Sequence, residues 1–105
     1  MSEVWMIRST FAKKDEAISV ARALLEDGLI ACANIDEDMI ALFRWEGLIQ
    51  QEPEVILLAK TTKEKRARVM QRIKEMHSYQ VPSILAWPVG NADAEFAAWV
   101  AAEVS

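Results

Sequence analysis

The pattern of apolar residues predicts an α+β domain with the order strand–helix–strand–strand–helix–strand, closed by a C-terminal helix. Three observations carry this. Residues 14–27 place Ala17, Val20, Ala21, Leu24 and Leu25 on one face at helical spacing. Two extended apolar runs flank Glu46-Gly47, which reads as the turn of a long antiparallel hairpin. A second helical stripe, Val69, Met70, Ile73 and Met76, leads into another short apolar run. This is the split βαβ, or ferredoxin-like, plan.

Taken in order, residues 4–7 form a first strand that ends at the polar Arg8-Ser9-Thr10. The first helix carries Asp15 and Glu16 in its opening turn, where the macrodipole favours negative charge. Gly28 stands where a left-handed C-terminal cap is expected. Residues 29–35 read as the second strand. The acidic Asp36-Glu37-Asp38 then interrupts as a solvated loop before residues 39–45 resume extended structure. The hairpin returns through residues 48–49 and 55–62, with Pro53 at an edge or bulge because it cannot donate to a ladder.

In residues 39–45 both alternate sets are apolar: Met39, Ala41, Phe43 and Trp45 on one, Ile40 and Leu42 on the other. Such a strand is covered on both faces. One layer of helices covers one face, so a neighbouring subunit is expected on part of the other. Thr61-x-x-Glu64 matches a capping box for the second helix, which ends near His77. Residues 84–89 form the last strand, Gly90-Asn91 turns, and Asn91 is expected to cap a final helix carrying Phe96, Trp99 and Val100.

A chain of 105 residues fits a single domain spanning residues 1–105. At 52% hydrophobic residues with four tryptophans it carries more apolar surface than a core this small easily hides. Its net charge of −4 argues against nucleic acid, whose phosphates call for a basic excess. A lone cysteine excludes an internal disulfide. Met1-Ser2-Glu3-Val4-Trp5 lacks the basic and apolar regions of a signal peptide, and no apolar run is long enough to span a bilayer. A cytoplasmic protein with no membrane or nucleic-acid partner is expected.

Few residues offer chemistry. Cys32, between Ala31 and Ala33, is either a small buried hydrophobe or a soft metal ligand. With no CxxC pair, a closed zinc site within one chain is not expected. His77, the only histidine, either stabilises a helix end through the dipole or serves a site. The second helix holds Lys63, Lys65, Arg66, Arg68, Arg72 and Lys74, read as a solvated face opposite its apolar stripe. No glycine-rich phosphate loop, HExxH or EF-hand loop is present.

The run from Ala21 to Ile35 (ARALLEDGLIACANI), Trp45-Glu46-Gly47, Lys60-Thr61, His77-Ser78-Tyr79-Gln80-Val81-Pro82 and Phe96-x-x-Trp99, in this order and spacing, resembles the CutA family of divalent-cation tolerance proteins. The resemblance implies a ferredoxin-like subunit in a tight homotrimer, similar in architecture to PII signalling proteins, with no settled enzymatic activity. It implies a role in tolerance of copper and other divalent ions, or in signalling. It also implies a cleft between subunits built from Cys32, Trp45, Lys60, His77 and Tyr79. Ser78, Gln80 and Ser83 depart from the family's His-Pro-Tyr-Glu-x-Pro-Glu, and Ala41 and Phe43 replace a usual serine and tyrosine. These departures remove oxygen ligands that a hard cation needs. Cys32 and His77 remain as the metal donors, and they suit copper.

The expected function is therefore a homotrimeric, non-enzymatic module that binds a metal ion or small ligand through Trp45, Lys60, His77 and Tyr79 and requires no cofactor. The alternative is an enzyme moving protons with His77, Tyr79 and Lys60. An RNA-binding module of the same strand order would want an aromatic- and glycine-containing central strand, which Val55-Ile56-Leu57-Leu58-Ala59-Lys60 lacks.

Overall fold

The computed structural model describes residues 3–105, so Met1 and Ser2, where the reading of the N-terminus begins, lie outside it. Its elements are β1 (Val4–Phe11), α1 (Lys14–Glu26), β2 (Cys32–Trp45), β3 (Leu48–Thr62), a single 3-10 turn (Lys63–Lys65), α2 (Arg66–Met76), β4 (Ile84–Pro88) and α3 (Ala94–Glu103). The four strands form one antiparallel sheet in the order β2-β3-β1-β4. The predicted α+β, ferredoxin-like order holds.

One face of the sheet packs on α1 and α2. Ile7 and Phe11 of β1 and Leu57 and Ala59 of β3 meet Leu24, Val69 and Ile73 there, all fully buried. The opposite face is open except at one corner, where α3 brings Val100 against Val4 and Ala31. Burying these side chains supplies most of the stability, at about 1.5–3 kcal/mol for each large one.

The first strand runs past its predicted polar end to Phe11. Ser9 continues the strand at no polar cost because its hydroxyl donates to the Ser83 carbonyl at 2.8 Å. The end of α1 is a Schellman closure, with Gly28 N–H on Leu25 O at 3.1 Å and Leu29 N–H on Leu24 O at 3.0 Å. Gly28 sits at φ 69°, the left-handed conformation that glycine adopts freely. That closure occupies Leu29, so β2 begins at Cys32 rather than at residue 29.

The acidic trio is not a loop. Strand β2 runs through it, with a bulge between Asp36 and Met39 at which Asp38 takes φ 64°. Asp36 pairs with Ile56 and Met39 with Glu54, so Glu37 and Asp38 together oppose Val55. This extra residue reverses the alternation. Ala33 and Ile35 pack toward the helices, whereas Met39, Ala41, Phe43 and Trp45 pair beside Glu54, Glu52, Gln50 and Leu48 on the open face.

Glu46 and Gly47 both have positive φ, 50° and 81°, as a two-residue hairpin turn requires. Pairing of β3 with β1 stops at Val55↔Phe11, so residues 48–54 pair with β2 alone. Pro53 lies in this two-stranded part, where a missing donor is tolerated. The hairpin projects from the sheet, and the molecule measures 46 × 26 × 22 Å.

Two predicted caps do not form. The Thr61 hydroxyl donates instead to the Leu29 carbonyl at 2.6 Å inside the core, so the second helix opens with a 3-10 turn and no side-chain cap. At α3 the cap is Asp93, whose carboxylate accepts the Phe96 N–H at 3.0 Å, and not Asn91. The last strand ends at Pro88, and the Val89 N–H then bonds to Val4 O at 2.9 Å. On α2, Arg66 stacks 4.5 Å from the Trp5 ring and Arg72 pairs with Asp27 and Glu75, while Lys63, Arg68 and Lys74 are exposed.

Candidate functional site

Where the projecting hairpin leaves the sheet, its open face and the segment after α2 enclose a groove of about 820 Å³. The hairpin supplies Met39, Ala41, Phe43 and Trp45 from β2 and Gln50, Glu52 and Glu54 from β3. Arg8 and Thr10 of β1 form its inner end, and Tyr79, Gln80, Val81 and Ser83 form one wall. The bulge makes this possible, because without it the Met39-to-Trp45 set would face the helix side.

The wall is fixed by polar contacts that begin where α2 ends. His77 lies half-buried, stacked on Phe11 with centroids 4.2 Å apart. Its Nε2 lies 2.8 Å from the Thr10 carbonyl and its Nδ1 lies 3.1 Å from the Tyr79 N–H. A carbonyl only accepts and an amide N–H only donates, so Nε2 carries the proton and Nδ1 accepts. These bonds, rather than a helix dipole, hold the ring. Next, the Ser78 N–H and hydroxyl both donate to the Glu16 carboxylate, at 2.8 and 2.9 Å, tying the segment to α1.

Tyr79 is thereby aimed across the groove, and its phenol donates to Glu54 Oε2 at 2.9 Å. Burial raises the phenol's pKa well above its ordinary value. The hydrogen bond to Glu54 and its charge, and the charges of Glu16 and Glu52, push the same way. Tyr79 is a neutral donor here.

The residues read as site residues divide into two places. Trp45 and Tyr79 line the groove, with His77 behind Tyr79 as its support, the ring centroids 4.8 Å apart. Lys60 and Cys32 are cross-strand partners further along the open face, where the Lys60 ammonium donates to the Asn34 side chain and Cys32 is half-buried and free. Lys60 pairs with Met6 on β1, and His77 bonds to Thr10. From Met6 to Thr10 along the strand is roughly 13 Å. One chain therefore does not bring Cys32 to His77, nor Lys60 to His77 and Tyr79. Among the described residues no group of three or more His, Cys, Asp or Glu side chains could hold a metal ion.

Sequence reasoning passed over Arg8, Met39, Gln50, Glu52 and Glu54. A signal for the two carboxylates existed, since Glu52 and Glu54 alternate with Pro53 and so share a face with Lys60. Placing that face in a groove required the bulge. Among the described residues, no helix is long and apolar enough to cross a membrane.

Comparison with known proteins agrees with this architecture. The family model described as CutA1 divalent ion tolerance protein matches residues 5–103. The Divalent-cation tolerance protein CutA of Thermus thermophilus is 35% identical over 100 residues, covering 95% of each chain. The crystal structure of divalent ion tolerance protein CutA1 from Ehrlichia chaffeensis superimposes with a TM-score of 0.95 at 28% identity, over 100% of this chain and 98% of that one. A CutA structure from Archaeoglobus fulgidus, described as a periplasmic divalent cation tolerance protein, gives a TM-score of 0.93 at 37% identity over 97% and 99% of the two chains. With a family match over nearly its whole length and relatives of this similarity, the chain belongs to the CutA1 divalent ion tolerance family.

Proposed function

We propose that the protein serves divalent-cation tolerance as a homotrimeric, non-enzymatic binding and sensing module of the cytoplasm, and that copper is the ion it takes in preference. The observation that carries this reading is the projecting hairpin, whose apolar side chains on both faces have no helical cover and whose open face forms a groove. Side chains such as Ile40 and Leu42, 65% and 68% exposed, call for further copies of the chain. The family relationship supports cation tolerance as the role, and the names its members carry indicate no reaction.

The geometry favours binding over proton transfer. Lys60 is engaged by Asn34 at a distance from Tyr79, and the Tyr79 phenol is held neutral against Glu54. For copper the soft donor is Cys32, half-buried on the open face. His77 has both ring nitrogens engaged and would join only by giving up one hydrogen bond. A complete copper site therefore needs donors from more than one subunit. Calorimetric titration with reduced copper should show modest affinity that exceeds any for magnesium or calcium and weakens as pH falls, because protons compete for the donors. Binding should be lost in Cys32→Ser with the assembly intact and reduced in His77→Ala. Equal copper affinity in the wild type and both variants would contradict the reading.

A further inference from the structure

Helix α3 covers its corner of the open face with little to hold it. Val100 is its one buried side chain, packed with the half-buried Ala97 against Val4 and Ala31. A helix of ten residues is not stable by propensity alone, so its position depends on how its ends are fastened. Its start is fixed by the Val89 N–H on Val4 O at 2.9 Å and by the Asp93 cap. At its end Val104 turns extended, at φ −88° and ψ 129°, and packs on the same apolar corner. The Ser105 N–H then donates to the Gly28 carbonyl at 2.9 Å.

Gly28 is also the residue that closes α1 in the left-handed conformation. Positive φ alone does not dictate glycine in this chain, since Asp38 and Glu46 adopt it too. The approach of Ser105 adds a second demand. A Cβ on Gly28 would run into the Ser105 hydroxyl and stand 3.0 Å from the Ser105 Cβ. The hydroxyl can swing aside, but the Ser105 Cβ can retreat only by disturbing the N–H bond beside it. Glycine meets both demands at once.

We propose that Val104 and Ser105 form a strap that fastens α3 to the closing turn of α1, with Gly28 as its anchor. The two helices lie on opposite faces of the sheet, so one glycine couples the closure of one face to the cover of the other. Release of the strap frees α3 from Val4 and Ala31, the corner from which β2 sets out at Cys32. This device is independent of what the protein binds.

The test is hydrogen exchange followed by mass spectrometry on the full chain, reading α3 against α1 and α2 in the same sample. Ser105→Pro removes the donor, and the extended Val104 suits a following proline. It should speed α3 exchange on the order of fivefold, the equivalent of one net hydrogen bond, and leave α2 unchanged. Gly28→Ala should speed exchange both at the end of α1 and in α3. Adding Ser105→Gly, which removes the atoms in the way, should return α3 toward the wild-type rate while the strain at the end of α1 persists. Wild-type α3 exchange in Ser105→Pro would overturn the strap, and this variant decides even if Gly28→Ala folds poorly. A Gly28→Ala effect confined to α1, or an α3 effect that Ser105→Gly does not relieve, would reduce Gly28 to its turn and overturn the anchor.

Discussion

The two halves of the long hairpin have similar compositions and opposite surroundings. In the inner half, residues 32–36 and 56–60 sit inside the four-stranded sheet, and Leu57 and Ala59 are 0% exposed beneath the helices. In the outer half, Leu48 and Ile49 are 66% and 73% exposed, and neither face meets a helix. Apolar alternation drives strand pairing in both. Only the inner half has something to pack against within one chain. The difference supports the proposal that the outer half is a surface for association, whose stability would then belong to the assembly.

The largest effect that tests this contrast is a truncation repeated in each half. Leu57→Ala empties a site that is closed within the chain and should cost about 3 kcal/mol in denaturant unfolding. Leu42→Ala should cost much less under conditions where the chain is monomeric, since its side chain meets little there. Equal losses for the two in monomeric protein would erase the distinction.

A smaller effect addresses the junction of the halves, where Tyr79 meets Glu54. Tyr79 is the only tyrosine, so tyrosinate absorbance reports it alone. It should titrate above its ordinary 10.0, owing first to burial and then to Glu54, and Glu54→Gln should bring it down. The folded state holds this proton to higher pH than the unfolded chain does. The associated stabilisation is therefore fully present below about pH 10 and is lost as pH rises through the folded value. The denaturation midpoint should fall above pH 10, and fall less in Tyr79→Phe. A wild-type phenol that titrates at 10 would dissolve the contact.

The sequence revealed the elements better than their edges, and the reasons are local. Helix α1 was legible because its stripe and Gly28 agree. Ser9 and Thr61 misled because their hydroxyls look like strand-ending or capping groups, yet they bond to the carbonyls of Ser83 and Leu29, residues far away in the chain. The bulge at Glu37-Asp38 was illegible because an extra residue shows only against its partner strand. Missing it hid the groove, since the bulge decides that Phe43 and Trp45 share a face with Glu52. The motifs pointed to Trp45 and Tyr79, which line the groove, and to Cys32 and Lys60, though nothing in the sequence said that these two sit apart from Tyr79.

The central claim is that the outer hairpin is the association surface of a homotrimer, and mass in solution tests it most directly. Light scattering coupled to gel filtration should return three times the 11.8 kDa chain mass for the wild type. Phe43→Asp, which places an unpaired charge on that surface, should lower the mass toward a single chain. A wild type that is monomeric at micromolar concentration, or a Phe43→Asp variant that remains a trimer of undiminished stability, would contradict the account.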